Sequence, residues 1–351
     1  MEQRRREFLD DLLGTATPSG FETAGQRRWV EYVGEFADEV RTDDYGNAVA
    51  VLEGGEPEVA LAGHGDEIGF MVRDIEDSGA IRMTAIGGSD RTVSKGQHVR
   101  VHTDDGPIPG VVGQTAIHLR DREDDSVDDI GEQHVDIGVD DVEEAERLVE
   151  RGDPITFDQM VSELENERIA ARGLDNRIGI WAAAEGLRRA ADADPEATVY
   201  AVSTVQEELG LQGAKMVGFD LAPDVVVATD VTHATDAPGT PSDRQSGVEL
   251  GSGPVVARGS ANHPRVVDAV REAAETSDVD IQLQAAGSRT GTDADAFYTS
   301  RGGIPSLNLG VPNRYMHTPV EVLDLDDLNG AADLLGAFAA SVHEYEFAVD
   351  V

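Results

Sequence analysis

The sequence predicts an α/β fold: a mostly parallel sheet flanked by helices, with a small inserted β-barrel or sandwich domain. Two observations lead there. Residues 1–66 and 166–351 alternate apolar strand-like runs with helical stretches, the pattern of a sheet covered on both faces. Between them, residues 67–165 carry short alternating runs separated by Gly, Pro and Asp clusters, the spacing of a small all-β unit. A chain of 351 residues can build a sizeable core in each part.

Residues 2–13 have helical spacing, with Phe8, Leu9, Leu12 and Leu13 on one face, and end at Gly14 and the turn Thr17-Pro18-Ser19-Gly20. Arg5-Arg6-Glu7-Phe8-Leu9 imitates a twin-arginine export signal, but Asp10 and Asp11 follow where an apolar run is required. A second helix groups Trp29, Val30, Val33 and Phe36. Two short strands flank the turn at 43–47, and residues 59–62 form a buried strand that delivers Gly63-His64-Gly65-Asp66-Glu67-Ile68-Gly69. In the insert, strands are expected within 79–86, 98–102, 110–117 and 134–137. Residues 121–132 read as an exposed acidic loop, and 141–151 as a short helix stopped by Gly152 and Pro154. The second α/β stretch then runs: helix 178–190, strand 198–205, helix 213–217, strand 224–229, strand 255–257, helix 263–276, strand 281–284, strand 304–309 and helix 325–345.

Composition narrows the function classes. A net charge of -41, with Lys only at Lys95 and Lys215, repels nucleic acid and anionic membranes and argues against both as partners. Regular apolar strands run throughout, so the acidity reads as adaptation to the high-salt cytoplasm of a halophilic organism, where self-repulsion is screened. No stretch has the length of a membrane span. With no Cys, any metal site must be built from His and carboxylates.

Ligands of open α/β sheets gather where strands end at their carboxyl edge. That edge collects His64 and Asp66 after strand 59–62, Asp175 before a helix, Glu207 and Glu208 after strand 198–205, Asp230 after strand 224–229, and His317 after strand 304–309. Taken singly, each has a bland alternative: Asp175 as a helix N-cap, Asp230 as a turn cap, His64 and His317 as loop histidines. The Glu207–Glu208 pair is harder to dismiss, because adjacent carboxylates at a buried strand end are costly unless paired or metal-bound. Adjacent side chains also point opposite ways in extended chain, so one can bind metal while the other serves as a base. Asp66, two residues after His64, faces the same way and suits an acceptor that orients the imidazole.

These motifs, in this order, resemble the tetrahedral (TET) aminopeptidases of metallopeptidase family 42, whose relatives include deblocking aminopeptidases and proteins labelled endoglucanase. The resemblance runs from Pro18-Ser19-Gly20-Phe21-Glu22 through His64-Gly65-Asp66-Glu67, Leu174-Asp175-Asn176-Arg177, Gln206-Glu207-Glu208-Leu209-Gly210 and Asp230-Val231-Thr232 to His317-Thr318-Pro319-Val320-Glu321. It implies a zinc-exopeptidase-like catalytic fold and two divalent ions per subunit, Zn or Co. Asp175 would bridge them, His64 and Asp230 would complete one site, and Glu208 and His317 the other. Glu207 would be the general base and Asp66 its orienting companion. The resemblance further implies a homo-oligomer, a tetrahedral dodecamer, with the 67–165 insert providing dimer contacts. Asp293, in Gly291-Thr292-Asp293-Ala294, matches a stretch near the substrate, with its role left open, as is that of His233.

The expected activity is removal of N-terminal residues from peptides by a metal-activated water. Two alternatives stand beside it. Glycoside hydrolysis of the endoglucanase type needs two carboxylates flanking a bond about 5–9.5 Å apart, for which adjacent Glu207 and Glu208 are poorly placed. A non-catalytic metal-binding scaffold would have kept the fold without the chemistry.

Overall fold

The computed structural model describes residues 1–120, 126–259 and 261–349. Its backbone is an eight-stranded sheet in the order Glu39–Thr42, Ala48–Leu52, Ala197–Thr204, Gly55–His64, Val225–His233, Ser306–Asn313, Val255–Arg258, Gln282–Ala285. The central strands Ala197–Thr204, Gly55–His64, Val225–His233 and Ser306–Asn313 are all parallel, and antiparallel pairings lie towards the edges.

Side chains along the central strands alternate between two cores, as the two-residue period of a strand requires. Val59, Leu61, Val199, Ala201, Val225 and Val227 join the core built with helices Gln3–Gly14, Thr23–Val33, Leu174–Ala193, Pro264–Thr276 and Leu325–Ser341. Ala60, Ala62, Tyr200, Val202, Val226 and Ala228 face the smaller core under helices Gln212–Asp220 and Asp293–Phe297. Helix Leu174–Ala193 comes unusually close to the sheet. A Cβ on Gly63 would lie 2.5 Å from the carbonyl carbon of Gly179, so glycine permits the approach.

The insert is a barrel, which decides between the two expected forms. Strands Gly69–Ile75, Ile81–Ile86, His134–Asp136, Gly106–Val112, His98–Thr103 and Pro154–Phe157 close on themselves around Phe70, Ile81, Met83, Val99, Val101 and Ile155. Phe70 and Phe157 meet edge to face at 5.3 Å on the seam. Gly69–Ile75 and Pro154–Phe157, absent from the sequence reading, are the two strands that complete the circle with it.

The helix predicted over 141–151 is confined to Val142–Ala145, capped by the Asp141 carboxylate on the Glu144 N–H, and the following residues turn towards Gly152 at φ 103°. Of the acidic stretch 121–132, residues 121–125 lie outside the described residues. Its remainder is tied to the barrel by ion pairs of Lys95 with Asp128 and Arg91 with Asp129. Strand 224–229 runs on as Val225–His233, because Ser306–Asn313 extends alongside it residue for residue. Asp230 therefore sits inside a strand, not after one. The terminal helix is shorter than expected, Leu325–Ser341, and is preceded by a strand, Glu321–Asp324, that pairs with Arg168–Ala171 in a separate three-stranded sheet.

The N-terminal helix buries Phe8, Leu9, Leu12 and Leu13, the predicted face. The two arginines of the export-signal imitation are used in the fold: Arg5 lies 3.2 Å from the buried Glu185, and Arg6 pairs with Asp10. Among the described residues no helix is long and apolar enough to cross a membrane.

Candidate active site

His64 closes strand Gly55–His64 and is 1% exposed. Its Nδ1 lies 3.2 Å from the Asp66 carbonyl and 3.3 Å from Asp66 Oδ1. A carbonyl oxygen only accepts, so Nδ1 carries the proton and Nε2 is turned towards three carboxylates. They are Asp175 at 3.3 Å and Glu207 and Asp230 at 3.7 Å each.

Asp66 is completely buried and does more than orient His64. Its carboxylate also accepts the Ser19 hydroxyl at 2.7 Å and the backbone N–H groups of Glu207 and Glu208 at 3.0 and 3.2 Å. The chain after strand Ala197–Thr204 is thereby pulled into a tight turn, with Gln206 at φ 55° and the Glu207 carbonyl accepting from Gly210 and Leu211. Its two carboxylates diverge: Glu207 towards His64, Glu208 towards His317, whose Nε2 is 3.5 Å away.

Asp175 stands between the two histidines. Its Oδ1 faces His64 and its Oδ2 lies 3.1 Å from His317 Nε2. It is not the helix cap that a bland reading would make it. Asp175 and Asn176 depart from helical dihedrals, and the bond between them is cis. The Asn176 side-chain oxygen Oδ1 accepts the Gly179 N–H at 3.0 Å, filling the capping role, while its side-chain NH₂ donates to the Thr229 backbone carbonyl. His317 Nδ1 lies 3.2 Å from the Gly88 carbonyl, contributed by the loop after barrel strand Ile81–Ile86, which leaves Nε2 facing the site.

Five separate stretches thus converge on two donor groups, His64 with Glu207 and Asp230, and Asp175 with Glu208 and His317, each with its donor atoms within 4.8 Å of one another. The protein alone balances this charge poorly. Burial pushes the Glu207 carboxyl up to about 10, and it raises Glu208 and Asp230 as well. Hydrogen bonds to Asp175 and Glu208 push the His317 imidazole up to about 11. Burial opposes a charged His64, yet Glu207, Asp230 and Asp175 hold it well above the ordinary value. Burial likewise opposes ionised Asp175, but hydrogen bonds from His317 and His64 keep it below the usual range. Protons are held where the carboxylates call for positive charge, and divalent cations supply that charge with the same donors. Oxygen and imidazole donors suit Zn or a similar first-row ion. The donors open on a cavity of about 440 Å³.

The two residues whose roles the sequence left open are both near. His233 lines the cavity but belongs to neither donor group. Asp293 is buried, accepts from the Thr204 hydroxyl, and keeps its Oδ1 without a partner among the described residues. Burial pushes its carboxyl up to about 7. Sequence reasoning missed two further carboxylates. Glu22 accepts the N–H groups of Gly20 and Gln206, and Glu321 accepts those of Asp175 and His317. Both stand at the ends of motifs already singled out, but nothing in the sequence separates them from surface acids.

Residues 46–334 match the family described as M42 glutamyl aminopeptidase. The chain is 34% identical to the lysyl aminopeptidase of Pyrococcus furiosus over 346 residues, 97% of this chain and 98% of that one. A TET aminopeptidase from a marine sediment archaeon of the Thaumarchaeota has the same fold, with a TM-score of 0.91 at 30% identity over 96% of each chain. The TET1 peptidase of Pyrococcus horikoshii, described as able to assemble into a tetrahedron or a large octahedral shell, matches with a TM-score of 0.85 and 32% identity. That match covers 95% of this chain and 99% of the other. With sequence and fold in agreement over nearly its whole length, the chain belongs to the M42 family and is an aminopeptidase, a hydrolase of peptide bonds.

Proposed function

We propose that this aminopeptidase trims peptide N-termini at a centre for two divalent ions, Zn or Co, that Asp175 would share. His64 and Asp230 would hold one of them, Glu208 and His317 the other. The observation that carries this reading is the position of Asp175, one carboxylate oxygen towards each histidine at 3.3 and 3.1 Å. Ions bound there supply Lewis acidity, lowering the pKa of water to roughly 7 and polarising the scissile carbonyl.

The chain's own groups do the rest. Glu207 takes a proton from the attacking water and delivers it to the leaving amine nitrogen. Asp66 holds the His64 ring and, through two backbone N–H groups, the turn that carries Glu207 and Glu208. Carboxylate in excess of the ligands offers a counter-charge to the substrate's α-ammonium group. The glycoside alternative is not favoured, since the curated relatives are named as aminopeptidases.

Residues 67–165 form the association unit in this reading, and the assembly is a homo-oligomer built like the TET neighbours, a dodecamer. The net charge of -41 supports a halophilic cytoplasm as the working environment. The test is a panel of aminoacyl-p-nitroanilides in multimolar KCl, with and without chelator and with added Zn²⁺ or Co²⁺. Activity abolished by chelation and restored by either ion is expected. Turnover that survives complete metal removal would refute the mechanism.

A further inference from the structure

Glu321 is 1% exposed, and the hydrogen bonds described for it come from backbone N–H groups. A buried carboxylate is an expensive choice for a position that only fills space. Its two oxygens are used separately. Oε2 accepts the backbone N–H of Asp175 and Oε1 that of His317, each at 2.9 Å.

Both acceptances fall where regular structure gives no support. Asp175 has φ -73° and ψ 105°, non-helical values at the start of helix Leu174–Ala193. His317 sits at φ 62°, a left-handed conformation uncommon for a residue with a side chain. Neither loop is held in place by a helix or sheet ladder at the donor itself. Glu321, by contrast, opens strand Glu321–Asp324 and faces Ala171 across an antiparallel pair. That small sheet is where both loops depart: Ala171 leads to Asp175, and Glu321 follows His317 by four residues.

We infer that Glu321 is a positioning residue for the metal centre: its carboxylate clamps the two backbones that aim Asp175 and His317 at a common point. The inference rests on reading those two residues as metal ligands. The two N–H donors meet different oxygens, and a carboxylate presents an acceptor at both positions. Glutamine matches the shape but turns an NH₂ group against one of the N–H groups, leaving a buried donor unsatisfied.

The same fold holds an internal control. Asp327, also 1% exposed, clasps the N–H groups of Gly251 and Gly253 at 2.7 Å each, outside the cavity lining. It is the same device used for the loop alone.

Zn²⁺ and Co²⁺ uptake by chelator-stripped full-length protein, followed by titration calorimetry with folding checked by circular dichroism, compares the unsubstituted chain with E321Q, E321D and D327N. E321Q is expected to bind metal about 10–100-fold more weakly while folded, in line with other groups that orient ligands. D327N should lower the melting temperature and leave metal affinity within about threefold of the unsubstituted chain, outside that range. E321D keeps the charge but is one methylene short, and should also weaken uptake; it decides the matter if E321Q does not fold. Uptake by E321Q equal to that of the unsubstituted chain overturns the inference alone. Failure of both variants to fold, with or without metal, overturns it too, by making Glu321 a folding residue. No uptake by the unsubstituted chain overturns the metal reading itself.

Discussion

The Asp66 carboxylate accepts the Glu207 N–H at 3.0 Å with the same oxygen, Oδ1, that lies 3.3 Å from His64 Nδ1. One oxygen therefore ties the ring of a proposed ligand to the backbone of the proposed base. Replacing Asp66 with Asn swaps one acceptor for a donor and cannot satisfy the ring and both N–H groups. D66N is expected to lower metal affinity about 10–100-fold and to lower kcat even at saturating metal. Calorimetry and metal-titrated kinetics separate the two effects.

Glu207→Gln tests the proton transfer by itself. Its amide preserves size and cannot take a proton, so kcat should fall about 10²–10⁴-fold. Uptake of both ions should persist, as measured by metal analysis of the dialysed protein. Near-normal turnover with metal bound would assign the base elsewhere.

Metal should also stabilise the fold. Stripped of ions, the site confines four proposed carboxylates beside two histidines, and a ligand that binds only the folded state adds about 2.7 kcal/mol at one hundred times its Kd. Scanning calorimetry should show a higher Tm for the Zn²⁺-loaded protein than for the stripped one. Equal values would argue against tight binding at this centre.

Arg177 donates to the carbonyls of Leu12, Leu13 and Thr15 at the end of the first helix and lies 3.2 Å from Glu67. R177M takes the donor away from those carbonyls, although Leu12 keeps the Thr15 N–H, and leaves part of the Glu67 charge buried without a partner, at a cost of about 3–5 kcal/mol. Burial alone would raise the Glu67 carboxyl, but Arg172 and Arg177 hold it below the ordinary value. A depressed folded-state pKa gives stability that is present above the unfolded value and lost as pH falls through the folded one. Acid unfolding of R177M should therefore begin at a higher pH than in the unsubstituted chain. Urea melts across the acid range would show it.

Salt should act on the whole surface. At about 1 M the screening length falls to roughly 3 Å, so self-repulsion from a net charge of -41 is suppressed. Tm should rise steadily between low and multimolar KCl. A flat or falling curve would remove the argument for a high-salt environment.

Sequence patterning made the sheet legible because its strands obey a strict two-residue period, with Val59 and Leu61 on one side and Ala60 and Ala62 on the other. It made the donor groups legible because His64, Glu207 and Glu208 sit at strand ends. Asp230 was identified at a strand end that does not exist, since pairing with Ser306–Asn313 is a tertiary fact that carries the strand past it. Strand Glu321–Asp324 is absent from the sequence reading, because its partner, Arg168–Ala171, is 150 or more residues away. Barrel closure was ambiguous for the same reason. Glu22 and Glu321 were invisible as braces, because a carboxylate that grips backbone N–H groups looks in sequence like any surface acid.

The loop that leaves the barrel at Ile86 has a consequence for anyone dissecting the molecule. A Cβ on Gly88 would come within 2.9 Å of His317 Nδ1, and one on Gly87 within 3.2 Å of the Glu208 side chain. That bare stretch of backbone forms a wall of the catalytic half while belonging to the insert. Excising residues 67–165 to obtain a minimal enzyme would take that wall away and leave His317 Nδ1 facing solvent. A chimera that exchanges barrels between relatives must keep Gly87 and Gly88 with the metal site, so the functional seam between the two parts does not coincide with the topological one.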